Sequence, residues 1–235
     1  MERRILLVSS SRVWGSGYLE HAAEEIRATL GGARSLLFVP YALADWAAYT
    51  ENVARHFPLR EVRVAGIHEA SDPAAAIREA ESLFIGGGNT FRLLDKLYAL
   101  GLLEPIRQRV AAGMPYLGSS AGSNVATISI KTTNDMPILE PPSFEALGLV
   151  KFNLNPHYLD PDPSSTHMGE TREERIRQFH EENEPPVVGL REGAMLSIRG
   201  EEIWLRGTQG ARLFRRGQEP LEVVSGTRLN ELVGA

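Results

Sequence analysis

The chain has 235 residues, six histidines, no cysteine and a formal net charge of −5, with 43% hydrophobic and 23% charged residues. This is the composition of an ordinary globular protein long enough to bury a substantial core. It excludes disulfides, thiolate chemistry and cysteine-based metal sites, and it argues against a nucleic-acid groove, which needs a basic footprint.

From the start of the chain, Arg3-Arg4 and the four apolar residues after them are too short for a signal segment. No stretch approaches the length of a membrane span, so a cytoplasmic protein with no membrane partner is expected. Short apolar runs then alternate with longer amphipathic ones. The short runs predict strands at Ile5–Ser9, Ser35–Pro40, Glu61–Ile67, Ser82–Gly86 and Pro115–Gly118. Tyr18–Leu30 reads as a helix with Leu19, Ala22, Ala23, Ile26 and Leu30 on one face. Further helices are predicted from about Leu43 to His56, from Ala74 after Asp72-Pro73, and over Thr90–Leu100 and Leu102–Ala112, broken at Gly101. Parallel strands need crossover connections, so this alternation predicts an α/β fold. It is a mostly parallel sheet with helices on both faces and sites at the carboxyl ends of its strands.

After Thr127 the pattern changes. Thr132–Pro142 reads as an extended loop, Val150–Asn155 as a strand, Asp160–Gly169 as a loop, Thr171–Glu182 as a helix and Pro186–Leu190 as a strand. Ala194–Arg199, Glu202–Arg206, Ala211–Phe214 and Leu221–Val224 predict a C-terminal antiparallel meander attached to the sheet. With no repeat or composition break, residues 1–235 are expected to form one α/β domain.

Gly118-Ser119-Ser120-Ala121-Gly122 is a G-x-S-x-G turn between a predicted strand and a helix start. Such a turn lifts a serine hydroxyl off the sheet and aims the next N–H, that of Ala121, at a developing oxyanion. Serine also needs a base. His21, His56 and His180 fall on predicted helices, His68 has no evident partner and His167 lies in a polar loop. His157 follows a strand through Asn155-Pro156, which places it at the same sheet edge as Ser120 if that strand is parallel. The acid that would orient it is either Asp135, in the loop after the serine helix, or Glu192, after the strand at Pro186–Leu190. Gly86-Gly87-Gly88-Asn89-Thr90 fits neither a dinucleotide fingerprint nor a P-loop. It reads as a tight turn or as an oxyanion loop, with the Gly88 N–H opposite that of Ala121. Arg172, at a helix start, is either a solvated first-turn residue or a bidentate grip on a substrate carboxylate. No H-E-x-x-H pair or His/carboxylate cluster has ligand spacing, so neither metal nor cofactor is expected.

Together these motifs resemble the serine peptidase family that contains peptidase E, an α-aspartyl dipeptidase, and cyanophycinase. The resemblance is carried by Phe84–Phe91, Gly118–Gly122 with Asn124, Thr132–Ile138, Asn155-Pro156-His157, Gly169–Glu173 and Glu192-Gly193. It implies a flavodoxin-like fold related to class I glutamine amidotransferases. The activity implied is hydrolysis of small peptides with an N-terminal aspartate, through an acyl-enzyme on Ser120 with His157 as base. In that setting Arg172 and Asn89 are expected to hold the aspartate. Ser119 stands where tryptophan is common in the family, which removes a large aromatic beside the nucleophile. The rival readings are a cyanophycinase-like hydrolase of aspartyl-arginyl peptides and a non-catalytic small-molecule binding protein of the same fold. A homodimer is left open.

Overall fold

Short strands buried on both faces build the main sheet. In β1 (Arg4–Val8), Ile5 and Leu7 face one side and Leu6 and Val8 the other, and all four are buried. The computed structural model, which describes residues 2–166 and 168–234, pairs β1 in parallel with β5 (Tyr116–Ser119). β2 (Ser35–Val39), β3 (Arg63–Gly66) and β4 (Leu83–Ile85) continue the parallel sheet in the order β3-β2-β4-β5-β1. With β1 counted as the fifth strand, this is the 2-1-3-4-5 order of flavodoxin-like sheets.

Helices cover both faces, as a sheet buried on both sides requires. α1 (Ala23–Leu30) and α2 (Trp46–His56) pack Ile26, Leu30 and Val53 against Leu6, Phe38, Phe84 and Leu117. On the other face α3 (Pro73–Glu79), α4 (Thr90–Ala99) and α5 (Leu103–Ala111) pack Ile77, Leu94, Leu97 and Ile106 against Ile5, Leu7, Ile85 and Tyr116. Two helix starts fall later than the periodicity predicts. Leu19 takes a left-handed φ of 55°, so the chain opens with a 3-10 turn at Glu20–Ala22 before α1. Asp45 accepts a hydrogen bond from the Ala48 N–H at 2.9 Å, and this cap starts α2 at Trp46.

The C-terminal strands do not form one meander. β8 (Ala194–Arg199) lies antiparallel beside β1, and β9 (Glu202–Gly207) beside β8, completing a seven-stranded sheet. β10 (Ala211–Phe214) and β11 (Leu221–Val223) instead join β6 (Asn153–Pro156) and β7 (Val187–Leu190) in a second sheet, ordered β11-β10-β7-β6. The reason is burial: Ala194 to Ile198 are buried without a break, which suits β8 to an interior place and not to a solvated edge. β6 and β7 are parallel to each other, but they belong to this smaller sheet and not to the main one. Apolar residues of both sheets, among them Leu7, Ile85, Leu154, Val188 and Leu213, share one core.

β6 has a strand neighbour on one side, and side chains serve its other edge. Asn153 Nδ2 donates to the Ser129 carbonyl, Thr132 Oγ1 to the Leu154 carbonyl, Asn155 Nδ2 to the Thr132 carbonyl and Asn134 Nδ2 to the Pro156 carbonyl, all within 2.6–2.8 Å. These bonds stitch the segment 129–135 to β6 and so fix where Asp135 lies. α6 (Ala121–Asn124), α7 (Arg172–Glu182) and α8 (Asn230–Val233) complete the described helices, none of which is long and apolar enough to cross a membrane.

Candidate active site

Ser120 sits on the sharp turn between β5 and α6 with φ 53° and ψ −112°, a strained conformation for a residue with a side chain. The turn closes because two glycines let backbones touch. A Cβ on Gly122 would run into the Ile85 carbonyl oxygen, and one on Gly118 would lie 2.6 Å from the Gly122 carbonyl oxygen. The turn is then fastened from below. The Ser120 N–H donates to the Val8 carbonyl at 3.0 Å, and the buried Tyr116 hydroxyl donates to the Gly122 carbonyl at 2.6 Å. Burial also pushes the Tyr116 phenol well above its ordinary pKa, so it remains a donor.

The structure brings His157 and Glu192 to this serine. Ser120 Oγ lies 2.9 Å from His157 Nε2, and His157 Nδ1 lies 2.7 Å from Glu192 Oε1. A carboxylate only accepts, so the Nδ1 proton points at Glu192 and Nε2 is left free to accept from the serine. Glu192 is half exposed, as is the imidazole, so the pair is wet and its charge screened.

Asp135 is bonded to Thr90 instead. Its Oδ2 accepts from the Thr90 N–H at 2.7 Å and the Thr90 hydroxyl at 2.6 Å, at the start of α4. It shares a narrow cleft with Ser120, Asn124 and His157, with room of about 20 Å³, enough for one water. The expectation that left Asp135 and Glu192 equal is thus divided by geometry: one carboxylate meets the imidazole and the other caps a helix.

The glycine loop packs directly on the nucleophile. A Cβ on Gly87 would sit 3.0 Å from Ser120 Cβ, and Gly88 adopts φ 131°, where a Cβ would lie 2.7 Å from the Ala42 carbonyl oxygen. Among the described residues neither the Gly88 nor the Ala121 N–H donates to a chain acceptor. The Asn89 side chain is differently employed from the substrate contact expected of it. Its Oδ1 caps α4 by accepting from the Arg92 N–H at 3.0 Å, and its Nδ2 donates to the Met136 carbonyl at 2.9 Å. Arg172 opens α7 behind a Thr171–Glu174 capping box and is partly buried. Among the described residues its guanidinium has no ion-pair partner. Burial and the Arg175 charge push its proton affinity down, and the Asp135 carboxylate opposes them.

His56 and His180 are bonded elsewhere. His56 Nδ1 meets the Asn52 carbonyl at 2.9 Å and His180 Nε2 the Pro185 carbonyl at 3.1 Å; His167 lies outside the described residues. Among the described residues no group of three or more His, Asp or Glu is arranged to hold a metal ion. Two residues with a part in the geometry escape the sequence motifs. Ser9 touches His157 through its hydroxyl. Arg191, next to Glu192, bonds the Asp160 and Glu222 carboxylates in two bidentate pairs at 2.7–2.8 Å. A polar residue just past the end of β1 was the available signal for Ser9.

Residues 5–206 match Peptidase family S51. The chain is 54% identical over 229 residues to a Streptomyces coelicolor protein named "Peptidase E", covering 97% of this chain and 94% of that one. It is 52% identical over 216 residues to a Drosophila melanogaster protein named "Probable alpha-aspartyl dipeptidase", covering 91% and 90% of the two chains. A solved peptidase from an acI-B1 Actinobacterium superposes with a TM-score of 0.71 over 97% of this chain and 96% of that one, at 16% identity, which is a likeness of fold.

Two outcomes are expected from this geometry. Gly122→Ala forces strand and helix apart and should destabilise the chain by about 3 kcal/mol, the upper end of overpacking costs; a loss under about 1 kcal/mol in denaturant unfolding would contradict the packing described. The Arg191 hydrogen bonds hold the Asp160 carboxyl below its ordinary pKa. That depression makes their contribution complete above the ordinary aspartate value of about 3.9 and lost as pH falls through the lowered one. The Tm difference between wild type and Asp160→Asn should therefore be present at neutral pH and shrink in acid, whereas a pH-independent difference would contradict the pairing.

Proposed function

This chain belongs to peptidase family S51 and is a peptidase, and on that premise we propose that Ser120, His157 and Glu192 hydrolyse Asp-X dipeptides and short peptides with an N-terminal aspartate. The observation that carries the reading is the unbroken relay from Ser120 Oγ to His157 Nε2, 2.9 Å, and from Nδ1 to Glu192, 2.7 Å. Ser120 Oγ attacks the main-chain carbonyl carbon of the N-terminal aspartate as its proton passes to His157 Nε2. The Ala121 and Gly88 N–H groups, which donate to no acceptor among the described residues, receive the oxyanion. The C–N bond then breaks, the amine leaves with the proton from Nε2, and the aspartyl group remains as an ester on Ser120. Water, deprotonated by the same imidazole, attacks the ester and restores the serine. Glu192 holds the Nδ1 proton and stabilises the imidazolium in both steps.

Arg172 supplies the recognition of aspartate in this reading. Among the described residues the partly buried guanidinium has no ion-pair partner, and a substrate carboxylate accepting two of its N–H groups offsets the cost of its burial. Asp135 serves the cleft by capping α4 and does not orient the base; Asn89 anchors the oxyanion loop and does not grip substrate. Specificity for N-terminal aspartate is supported by the Drosophila relative's name. The activity is assigned to residues 1–235 as one domain. A cytoplasmic setting completes the reading, and fractionation of the producing cells tests it; sedimentation of the purified chain decides between monomer and homodimer.

Ser120→Ala should lower turnover of an Asp-Leu dipeptide by about 10⁴–10⁶-fold, and near-normal turnover would overturn the assignment. Glu192→Ala should reduce kcat far more than Asp135→Asn; the reverse order would return the orienting role to Asp135. Against a panel of Asp-X, Glu-X and Asn-X dipeptides, Arg172→Ala should raise KM for Asp-X selectively, and an unchanged preference would remove Arg172 from recognition.

A further inference from the structure

Val8 and Ser9 leave β1 where the two sheets meet, and between them they reach both reacting groups. The Val8 carbonyl accepts from the Ser120 N–H at 3.0 Å and from the Ser123 hydroxyl at 2.7 Å. Ser9 is fully buried. Its hydroxyl donates to the Leu190 carbonyl at 2.7 Å and accepts from the His157 N–H at 3.0 Å. One oxygen thus joins the end of β6, beside His157, to the end of β7, two residues before Glu192. It ties both to the first strand of the other sheet.

His157 needs such a tie. Its φ of 55° is a left-handed conformation that persists only where the surroundings fix it. The β6–β7 ladder ends at Pro156 opposite Leu190, and the next regular backbone bond is the Tyr158 N–H to the Leu190 carbonyl at 3.1 Å. His157 lies between these two points, and the acceptor for its N–H is the Ser9 hydroxyl. Alanine at position 9 would keep most of the volume but leave that N–H without its partner, a loss the burial of the site makes costly.

We propose that Ser9 is a positioning residue for hydrolysis: its hydroxyl holds the His157 backbone in the conformation that lays the imidazole between Ser120 and Glu192. This rests on the reading of His157 as the base for Ser120. The Ser9 hydroxyl hydrogen-bonds neither Ser120 nor Arg172, so its loss falls on the proton transfer and leaves substrate binding unchanged.

The test compares kcat and KM for Asp-Leu in wild type, Ser9→Ala and Ser9→Thr, with phosphonate labelling of Ser120 in wild type and His157→Ala. Ser9→Ala is expected to lose about 10- to 100-fold in kcat, the range a misplacement of ~1 Å can cost, with KM within about twofold. Ser9→Thr, which keeps the oxygen, is expected to recover most of the loss. Normal kcat in Ser9→Ala, an equal loss in Ser9→Thr, or a loss carried by KM would each overturn the proposal. Labelling of His157→Ala at the wild-type rate would overturn the base reading itself, and the role of Ser9 with it. Should Ser9→Ala fail to fold, hydrogen exchange of the His157 amide in the wild-type chain decides. Strong protection supports the bond, and exchange at the rate of an open peptide overturns it.

Discussion

The 2.9 Å contact between Ser120 and His157 crosses a seam, because the serine ends a strand of the seven-stranded sheet and the histidine ends a strand of the four-stranded one. Everything around the site serves to keep those two sheet ends in register. Their shared core sets the distance coarsely, through residues such as Leu7, Ile85, Leu154 and Leu190 packed together. Close-packed interiors resist sliding, since a shift of a fraction of an ångström forfeits contact along the whole interface. Polar bonds set it finely: Asn124 Nδ2 reaches from α6 to the Leu154 carbonyl of β6 at 2.9 Å, and Ser9 joins β1 to both β6 and β7.

Both reacting residues hold positive φ values, 53° for Ser120 and 55° for His157. Strain of this kind survives only where neighbouring structure over-determines it, and here the neighbours differ. At Ser120 the constraint is steric, from glycine contacts that leave no room for Cβ atoms at positions 118 and 122. At His157 it is electrostatic, from hydrogen bonds to a buried hydroxyl on the main chain and a carboxylate on the ring. Arg191 extends the second kind outward, fastening the Asp160 loop and β11 to the residue before Glu192.

The parallel core and the nucleophile turn were legible because their signals are local. A β-α-β alternation and a G-x-S-x-G turn need only the few residues that carry them, and β1 to β5 fall where the apolar runs place them. What the sequence left undivided depends on partners distant in the chain. The strands after Gly193 read correctly as strands, but alternation does not say which neighbour a strand will choose, and they divide between two sheets. Asp135 and Glu192 follow equally plausible loops, and only the stitching of residues 129–135 to β6 shows that Asp135 is turned to Thr90. Ser9 closes the apolar run of the first strand, and although that place puts it at the sheet's carboxyl edge, nothing local names residues 157 and 190 as its partners.

β1 lies in the interior of its sheet although it comes first in the chain. Ile5 pairs with Tyr116 on one side and with Ile198 on the other. A strand so placed has no partner until β5 has been made, and remains an open edge until β8 follows. Closing such long loops is entropically costly and slow, and an unpaired apolar edge invites other chains. During synthesis Ile5-Leu6-Leu7-Val8 must therefore wait unpaired for β5 and half-paired for β8, with Arg3 and Arg4 beside it as charges that discourage association. The strand that anchors the reacting serine leaves the ribosome before the other described strands, yet it is enclosed only after β8.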